Sequence, residues 1–383
     1  MAMNQMKTYG EGTLIPTLKG HFYTDPTIFE SEMKNIFMKS WFCVGFANEA
    51  AQPGQYFTAK IGNENVIIIR GKDNVLRAFI NACKHRGSLL CTQEKGKVGK
   101  VMQCPYHAWN YSLDGKLASV PHTTGCSQDM VHDEAFHLTP VHLTEWHGMV
   151  WISLADDPLP VEKQLDEQIM NRFGNLTTFS RYGIQDLKVA RRIEYDVKAN
   201  WKLIIENFME CYHCTLIHPE LTATLPGFRG GKGTQNAIGS GAKFGDNIEA
   251  FSLTGKGGRS MLKGLQPEDD RTYFGITVLP QVFINLVPDH VIIHRMIPIA
   301  EDRTMLVCDW LFDPEEMEKP DFDPSDAVEL FHRVNTQDFD AAEWCQTNMG
   351  SRAYQNGGVF VPIEHHIANF HTYICNELGM KHE

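Results

Sequence analysis

The chain has no long hydrophobic run: the most apolar stretch near its start, NVIIIR at residues 65–70, has four apolar residues in a row. A helix that crosses a bilayer needs about 18 or more apolar residues, so we expect no membrane-spanning segment. The opening residues MAMNQMKTYGEG also lack the apolar core of a secretory signal. These absences favour a cytoplasmic protein that does not bind a membrane.

The chain also has fewer basic than acidic side chains. The chain has 35 Lys and Arg against 47 Asp and Glu, which gives a net charge of -12 at pH 7. This balance argues against nucleic acid or an anionic membrane as the main partner. No internal repeat is present, and a length of 383 residues with 43% hydrophobic content predicts a soluble protein of one to three domains.

Cysteine and histidine, by contrast, are plentiful, with ten Cys and 17 His. Disulfides are rare in the cytoplasm, so we expect these cysteines to be reduced thiols or metal ligands. Two segments of the chain carry most of the chemistry that follows from this expectation.

The first segment holds two short Cys/His pairs, Cys83-Lys-His85 and Cys104-Pro-Tyr-His107. Each pair follows a strand-like run, and the hairpin signal LDGK comes after the second pair. The pattern predicts two loops that project from adjacent strands, each offering one thiolate and one imidazole.

Two thiolates and two imidazoles suit either a structural zinc site or a Rieske [2Fe–2S] centre. Zinc fingers typically place both cysteines in one knuckle and both histidines on one helix. Here each loop supplies one of each, which favours a cluster with one iron held by cysteines and one held by histidines. The remaining alternative is a set of packed thiols and hydrogen-bonded imidazoles.

The second segment, ENFMECYHCTLIHPE at residues 206–220, crowds acids, cysteines and histidines together. Apolar residues at helical spacing predict a helix over 200–214, on which Glu206, Glu210 and His213 would share one polar stripe. Pro219 moves His218 out of the helical region, so His218 can fold back toward His213. Two neutral imidazoles with one carboxylate form the facial triad of a non-haem iron oxygenase.

The carboxylate must come from elsewhere in the chain. A helix is predicted over 325–349, and Asp338 falls on its apolar stripe whereas Asp340 does not. An ionised Asp on a buried stripe is costly unless it is paired or bound to a metal. Backbone donors or an Arg are the alternative partners. The stripe consists of Ala327, Phe331, Val334, Ala342 and Cys345.

The C-x-H and C-x-x-H pairs, the ECYHC segment and Asp338 in NTQD together resemble the Rieske non-haem iron oxygenases of the ring-hydroxylating type, over nearly the whole chain. Glu210 stands where most members have Asp, and this variant is similar to the oxygenases that act on glycine betaine, stachydrine and carnitine. The resemblance implies that Cys83, His85, Cys104 and His107 bind the [2Fe–2S] cluster. It further implies that His213, His218 and Asp338 bind a mononuclear Fe(II), with catalytic roles for Asn207, Glu210 and Tyr212.

The resemblance also implies an α+β fold. It would consist of an N-terminal arm (1–38) packed on the catalytic domain, an all-β Rieske domain (39–155) and a helix-grip catalytic domain (156–383). Family members form homotrimers, in which Glu210 would link His213 to His107 of the next subunit. Electrons would come from NAD(P)H through a separate reductase that carries a flavin and an iron–sulfur centre.

The expected function is therefore that of a terminal oxygenase, which uses O2 to hydroxylate an N-methyl group of a small quaternary ammonium compound. Glycine betaine is the first candidate, before stachydrine and carnitine, and the products are formaldehyde and a demethylated amine. The alternative on the same scaffold is an oxygenase that hydroxylates aromatic rings or demethylates aryl ethers. A different class, a Rieske-type electron carrier with a non-catalytic partner domain, would hold two irons rather than three.

Four smaller predictions complete the set. The Gly-rich segment 227–260 is expected to be a mobile lid. EHH at 364–366 is expected to pack or to face solvent rather than bind a metal. Cys91 and Cys126 match no ligand position and are expected to be packed thiols. Four β-rich runs within 271–312 predict an antiparallel meander.

Overall fold

The computed structural model describes residues 12–122, 127–231 and 238–381, and the chain divides into two units. One unit is Lys39–Pro158, and the other joins Met1–Met38 to Leu159–Glu383. The predicted limits, after residues 38 and 155, lie close to these borders. Cys126 lies outside the described residues. Among the helices that are described, none combines the length and the apolar character needed to cross a bilayer.

The strands carry the labels β1 to β18 in chain order. They are β1 (Ile15–Pro16), β2 (Phe42–Phe46), β3 (Gln55–Ile61), β4 (Glu64–Arg70), β5 (Leu76–Ile80), β6 (Lys95–Lys97), β7 (Val101–Gln103), β8 (Asn110–Ser112), β9 (Leu117–Ser119), β10 (Pro140–Trp146), β11 (Met149–Ser153), β12 (Lys188–Val197), β13 (Ala242–Lys243), β14 (Thr272–Val278), β15 (Val282–Val287), β16 (His290–Ala300), β17 (Arg303–Phe312) and β18 (Val359–Phe360).

The α-helices are labelled in the same way. They are α1 (Pro26–Asn35), α2 (Ser127–His132), α3 (Glu167–Phe173), α4 (Thr177–Ser180), α5 (Trp201–Met209), α6 (Cys214–Ile217), α7 (Pro219–Thr224), α8 (Pro314–Met317), α9 (Ser325–Met349) and α10 (His365–Glu377).

The unit 39–158 is built on two antiparallel sheets. A seven-stranded sheet has the order β2-β11-β10-β5-β4-β3-β6, and a three-stranded sheet has the order β7-β8-β9. Buried side chains of both sheets, among them Ile67, Phe79, Met102 and Tyr111, form one apolar cluster. The two Cys/His loops follow β5 and β7, which belong to different sheets, so the prediction of adjacent strands is wrong. The two loops come together because this apolar cluster of buried side chains packs the two sheets against each other.

The other unit contains a six-stranded antiparallel sheet of the order β12-β17-β16-β15-β14-β13. Its strands β14 to β17 are the four runs predicted within 271–312, and they pair consecutively as a meander. Every residue of β15 is buried. Helices α5 and α9 pack against the sheet and against each other. This cover explains why the strands read as continuous apolar runs rather than as an alternating pattern.

Helix α9 covers Ser325–Met349 as predicted, and its buried face includes Asp338. Four of the five predicted stripe residues are buried, but Cys345 is exposed and that prediction is wrong. The next buried residue of the helix after Ala342 is Met349.

Helix α5 is shorter than predicted and ends at Met209. It begins at the cap residue Asn200, whose side chain accepts a hydrogen bond from the Lys202 N–H at 3.0 Å. Glu210 leaves the helix with φ -127 and ψ 170, and its carboxylate accepts the N–H groups of Tyr212 and His213. These bonds compete with helical ones, so the predicted stripe of Glu206, Glu210 and His213 on one helix is wrong.

The Gly-rich segment 227–260 contacts the rest of the unit at several of its described residues. Strand β13 extends the sheet, and Phe244 and Phe251 are buried. Residues 232–237 lie outside the described part of the chain, so the prediction of a lid remains a prediction.

Candidate metal centres

The two Cys/His loops of the unit 39–158 are built alike. In each loop the residue four positions after the cysteine donates its N–H to the cysteine carbonyl: Gly87 to Cys83 at 2.8 Å and Ala108 to Cys104 at 3.0 Å. Both donors have positive φ, 71 for Gly87 and 57 for Ala108. Each turn closes a tight loop that brings the cysteine and the following histidine to the same end.

The thiols of this site are buried, with Cys83 3% and Cys104 2% exposed. Burial raises the pKa of Cys83, whose sulfur lies 3.4 Å from the Tyr111 hydroxyl. Burial acts in the same direction on Cys104, but N–H groups of Tyr106 and His107 outweigh it and lower the pKa of this thiol. Donors aimed at a sulfur stabilise the thiolate, the form that binds a metal.

The imidazoles lie at the solvent side of the same site. His85 is exposed and stacks on Trp109 with ring centroids 5.1 Å apart, while His107 is half-buried. Their Nδ1 atoms face each other at 3.2 Å. Desolvation, then the neighbouring His85, lowers the pKa of His107 and keeps this ring neutral. Two thiols inside and two converging imidazole nitrogens outside fit a [2Fe–2S] cluster of the Rieske type.

The other unit brings together three residues from two distant parts of the chain. Nε2 of His218 lies 2.8 Å and Nε2 of His213 lies 3.2 Å from the same oxygen, Oδ1 of Asp338. His218 stands between α6 and α7, immediately before Pro219, which begins α7. The predicted return of His218 toward His213 is therefore present, although it starts from a loop and not from the end of α5.

Each imidazole is held through its second nitrogen. Nδ1 of His213 contacts the Glu210 carboxylate, and Nδ1 of His218 lies 2.8 Å from Oε1 of Gln337. Both acceptors favour a proton on Nδ1, so Nε2 is the nitrogen of each neutral ring that remains for a metal. Sequence reasoning missed Gln337. Its position next to Asp338 in NTQD was the available signal.

The electrostatics of this cluster favour a bound cation. Burial lowers the pKa of His213, but Asp338 and Glu210 outweigh it and raise the pKa to about 10. Burial raises the pKa of Asp338, yet hydrogen bonds from His213 and then His218 bring it down to about 2. The negative charge of Asp338 and Glu210 beside the His213 ring favours a cation in this cluster, and two imidazoles with one carboxylate suit iron(II).

A pocket opens onto these three residues. Asn207 and Glu210 line it, whereas Tyr212 does not and is 59% exposed. Four aromatic side chains form part of the wall: Phe208, Phe228, Tyr273 and Phe331. Tyr273 and Thr277 come from β14 and were not singled out in the sequence, because only the strand register shows which residues of β14 face the pocket.

Two cysteines beside His213 differ from the expectation of reduced thiols. Cys211 and Cys214 form a disulfide with a sequence separation of three. The prediction of thiols or metal ligands is therefore wrong for this pair. The turn that brings His213 toward Asp338 also brings the two Cα atoms to 4.9 Å, within bonding range. The other cysteines of the described residues form no disulfide, and Cys91 is buried as predicted.

The EHH segment at 364–366 is engaged in backbone contacts. Glu364 accepts the N–H of Val361 at 2.9 Å, and His366 Nε2 lies 2.5 Å from the Met209 carbonyl. His365 Nε2 lies 2.7 Å from the Thr13 carbonyl. These contacts agree with the prediction that the segment packs rather than binds a metal.

Comparison with known families agrees with both centres. Residues 40–134 match the Rieske [2Fe-2S] domain, and residues 184–378 match the catalytic domain of the ring-hydroxylating alpha subunit. The chain therefore belongs to the Rieske non-haem iron oxygenases, and it is the oxygenase component with a [2Fe–2S] cluster and a mononuclear iron site.

The chain is also similar to individual proteins of known name and to a solved structure. The chain is 32% identical to the glycine betaine monooxygenase oxygenase subunit of Chromohalobacter salexigens, over 88% of this chain and 80% of the relative. It is 32% identical to the carnitine monooxygenase oxygenase subunit of Acinetobacter pittii, over 88% and 86%. It is also similar to the crystal structure of the quaternary ammonium Rieske monooxygenase CntA with L-carnitine, with TM-score 0.74, 29% identity and 96% of each chain covered.

Proposed function

We propose that this oxygenase hydroxylates an N-methyl group of a small quaternary ammonium compound, with glycine betaine first and stachydrine and carnitine next. The observation that carries the proposal is the pocket itself, where Nε2 of His213 and His218 meet Asp338 beneath aromatic walls. Aromatic faces attract a desolvated quaternary ammonium group. The relatives named for glycine betaine and carnitine support the same substrate class.

The ligand assignment is part of the proposal. Cys83, Cys104, His85 and His107 hold the cluster, and His213, His218 and Asp338 hold the mononuclear iron. When bound, the two centres supply one-electron transfer and O2 activation respectively. The chain supplies orientation: Glu210 and Gln337 hold the two imidazoles in one tautomer, and the aromatic wall keeps water from the reacting carbon.

The overall reaction consumes O2, two electrons and two protons for each N-methyl group. One oxygen atom is inserted into a C–H bond and the other leaves as water. The resulting carbinolamine loses formaldehyde when the C–N bond breaks, and the electron pair of that bond remains on the nitrogen as a neutral amine with release of the hydroxyl proton. The electrons come from NAD(P)H through a separate reductase with a flavin and an iron–sulfur centre.

We further propose a homotrimer in which Glu210 connects His213 with His107 of the partner subunit. Glu210 already contacts His213 Nδ1 within its own chain. Large apolar side chains are exposed next to both partners of the proposed bridge: Tyr212 at 59% and Leu216 at 89% beside His213, and Tyr106 at 59% beside His107. These side chains offer apolar contact area for a partner subunit. Light scattering after size exclusion tests the trimer directly.

The substrate class is tested with the purified oxygenase, a reductase of the stated type and NADH. Formaldehyde release and substrate-dependent NADH oxidation are measured for glycine betaine, stachydrine, carnitine and a set of aromatic acids. Formaldehyde from at least one betaine, at a rate above that for every aromatic acid, supports the proposal. Turnover of aromatic acids alone would assign the enzyme to the ring-hydroxylating or aryl-demethylating alternative. The cytoplasmic location remains a prediction.

A further inference from the structure

A row of buried polar side chains leads away from the pocket through the catalytic sheet. Tyr273, in the pocket wall, places its hydroxyl 2.6 Å from Oδ1 of Asn285. Nδ2 of Asn285 lies 3.4 Å from Nδ1 of His294, and Nε2 of His294 lies 3.0 Å from Oδ1 of Asn335. All four residues are at most 6% exposed. We call Asn285, His294 and Asn335 the buried chain.

The buried chain continues to the outside of the unit. Nδ2 of Asn335 lies 3.4 Å from the Tyr195 hydroxyl, which in turn lies 2.8 Å from Nδ1 of His332. Polar groups this deep in a sheet are costly without partners, so their mutual hydrogen bonds keep each member in one orientation.

The strand register makes the first contact possible. Gly275 stands directly opposite Asn285 in the β14–β15 pair, and Tyr273 reaches Asn285 diagonally from two residues away. His294 on β16 stands opposite Phe283 and meets Asn285 in the same diagonal manner.

The hydrogen bonds of this row all run in one direction. The Tyr273 hydroxyl donates to Asn285, whose amide nitrogen donates to His294 Nδ1, so the proton of His294 is on Nε2 and points to Asn335. Burial lowers the pKa of His294 to about 4, which keeps the ring neutral. Burial raises the pKa of Tyr273, which keeps the hydroxyl protonated. The Cys308 sulfur, 3.1 Å from His294 Nε2, is a further weak acceptor there.

A tyrosine hydroxyl has one proton and two lone pairs. Because the proton of Tyr273 is directed to Asn285, its oxygen can act toward any further partner only as an acceptor. The methyl hydrogens of a quaternary ammonium group carry partial positive charge and are weak donors to such an oxygen. An ionised carboxylate of the substrate has no proton to donate and would meet lone pairs only.

We propose that Tyr273 is a specificity-determining residue that receives the N-methyl groups of the substrate, and that Asn285, His294 and Asn335 are its positioning residues. The inference rests on the proposed quaternary ammonium substrate and adds its orientation: the cationic end lies against Tyr273, on the side of Asp338, and the anionic end points away. Asn335 and Asp338 stand three residues apart on α9, so the same helix positions the end of the buried chain and the carboxylate of the metal site.

The test compares two ligands that differ only in charge. Glycine betaine and carnitine are each measured against the isostere in which carbon replaces the quaternary nitrogen, by calorimetric titration of the iron-loaded protein. In Tyr273→Phe we expect the preference for the cation over its isostere to fall about two- to fivefold. Asn285→Leu, which frees the proton of Tyr273 to turn into the pocket, should reduce this preference as well.

The ratio of the two affinities distinguishes a positioning role from general damage to the pocket. A loosened pocket weakens the binding of both ligands alike, so the ratio does not change. Tyr182→Phe is the matched control: it removes another buried tyrosine hydroxyl, 1% exposed, that is not part of the pocket wall, and the ratio should stay at the wild-type value. If Asn285→Leu does not fold, Asn335→Leu tests the same positioning role. The iron content and the visible cluster spectrum show which variants are folded.

The two levels of the proposal fail in different ways. If the wild-type protein binds and turns over none of the three quaternary ammonium compounds, the proposed function fails and the inference fails with it. If the wild-type protein prefers the cation and folded Tyr273→Phe retains that preference in full, only the inference is overturned. Retention of the preference in both Asn285→Leu and Asn335→Leu, with loss in Tyr273→Phe, would reject the positioning role of the buried chain.

Discussion

Oδ1 of Asp338 lies 2.8 Å from Nε2 of His218, although 120 residues separate the two along the chain. The contact joins α9 to the turn before α7, and it is made in a buried place where Asp338 is 6% and His218 1% exposed. A carboxylate and an imidazole in such surroundings need a cation between them or a proton on one of them.

The first prediction concerns the metal content. Asp338→Ala removes one of the three proposed ligands of the mononuclear iron, so the iron content should fall from about three to about two atoms per chain. The visible spectrum of the Rieske cluster should remain, because its four proposed ligands belong to the other unit. Iron and acid-labile sulfide analysis of anaerobically prepared protein is the measurement.

Asp340→Ala is the control for this variant, since Asp340 is on the same helix but exposed. It should keep the full iron content. Two irons per chain already in the wild-type protein would contradict the assignment and favour an electron carrier.

The second prediction concerns the proposed bridge. Glu210→Gln keeps the length of the side chain and an oxygen that can accept the N–H groups of Tyr212 and His213, but it loses the charge. All iron should be retained, while oxidation of the reduced cluster slows strongly in the presence of substrate. Stopped-flow absorbance of the cluster in a single turnover measures the rate.

Glu364→Gln serves as the comparison. The Glu364 carboxyl is half-buried and lies close enough to Glu210 to feel its charge: after burial, and against a hydrogen bond from Val361, the charge of Glu210 helps to raise the pKa of Glu364. The Glu364→Gln variant should transfer electrons at the wild-type rate. A wild-type rate in Glu210→Gln itself would reject the bridge.

The third prediction concerns a fully buried ion pair at the start of α5. Lys202 Nζ lies 2.6 Å from Oε1 of Glu32, and Trp201 Nε1 lies 2.7 Å from Oε2 of the same carboxylate. Glu32→Gln leaves the ammonium group without its counter-charge, so the free energy of unfolding should fall by about 3–5 kcal/mol. Urea denaturation followed by tryptophan fluorescence is the measurement. Asp196→Asn, which breaks the exposed pair with Arg303, should leave the midpoint unchanged.

The fourth prediction concerns pH. The pKa of His294 is lowered to about 4 in the folded protein, so between about pH 6.5 and pH 4 the unfolded chain binds a proton that the folded chain does not. The contribution of His294 to the free energy of unfolding is fully present above about pH 6.5 and is lost on acidification. The loss reaches about 3 kcal/mol by pH 4. Unfolding free energies of wild type and His294→Asn, measured across this range, should approach each other as the pH falls. Parallel curves would contradict the shift.

The fifth prediction concerns the pair of cysteines around His213. Alkylation of the unfolded protein without a reductant should leave Cys211 and Cys214 unmodified, because their sulfurs are bonded to each other. Cys83 and Cys104 should be modified once the iron–sulfur cluster has been removed. Mass spectrometry of the digest makes the distinction. Alkylated Cys211 and Cys214 in protein purified without air would contradict the bond.

Local patterns in the sequence predicted much of the site. The apolar stripe of a long helix marked Asp338 as a charged residue that needs a partner, and the family resemblance implied that the partner is iron. In the structure Oδ1 of Asp338 lies close to both His213 and His218. The end of α5 was not found, because it depends on hydrogen bonds that the Glu210 side chain makes to the backbone beyond it. Helical periodicity carries no information about such a competing contact.

The buried chain behind Tyr273 was equally invisible in the sequence. Its members come from different strands and from α9, and they meet only through strand register and diagonal contacts. The disulfide was missed for another reason: compartment predicts the average state of cysteines, whereas the turn between Cys211 and Cys214 decides the state of this pair.

The short pairing of β1 with β18 has a consequence for the synthesis of the chain. Ile15 pairs with Phe360, so the first and the last parts of the catalytic unit are neighbours in one sheet. The unit 39–158 is continuous and is complete on the ribosome long before Phe360 emerges. Domains generally fold as units in the order of their synthesis. The unit 39–158 can therefore fold first. The segment around Ile15 can pair with its partner strand only after almost the entire polypeptide has been synthesised.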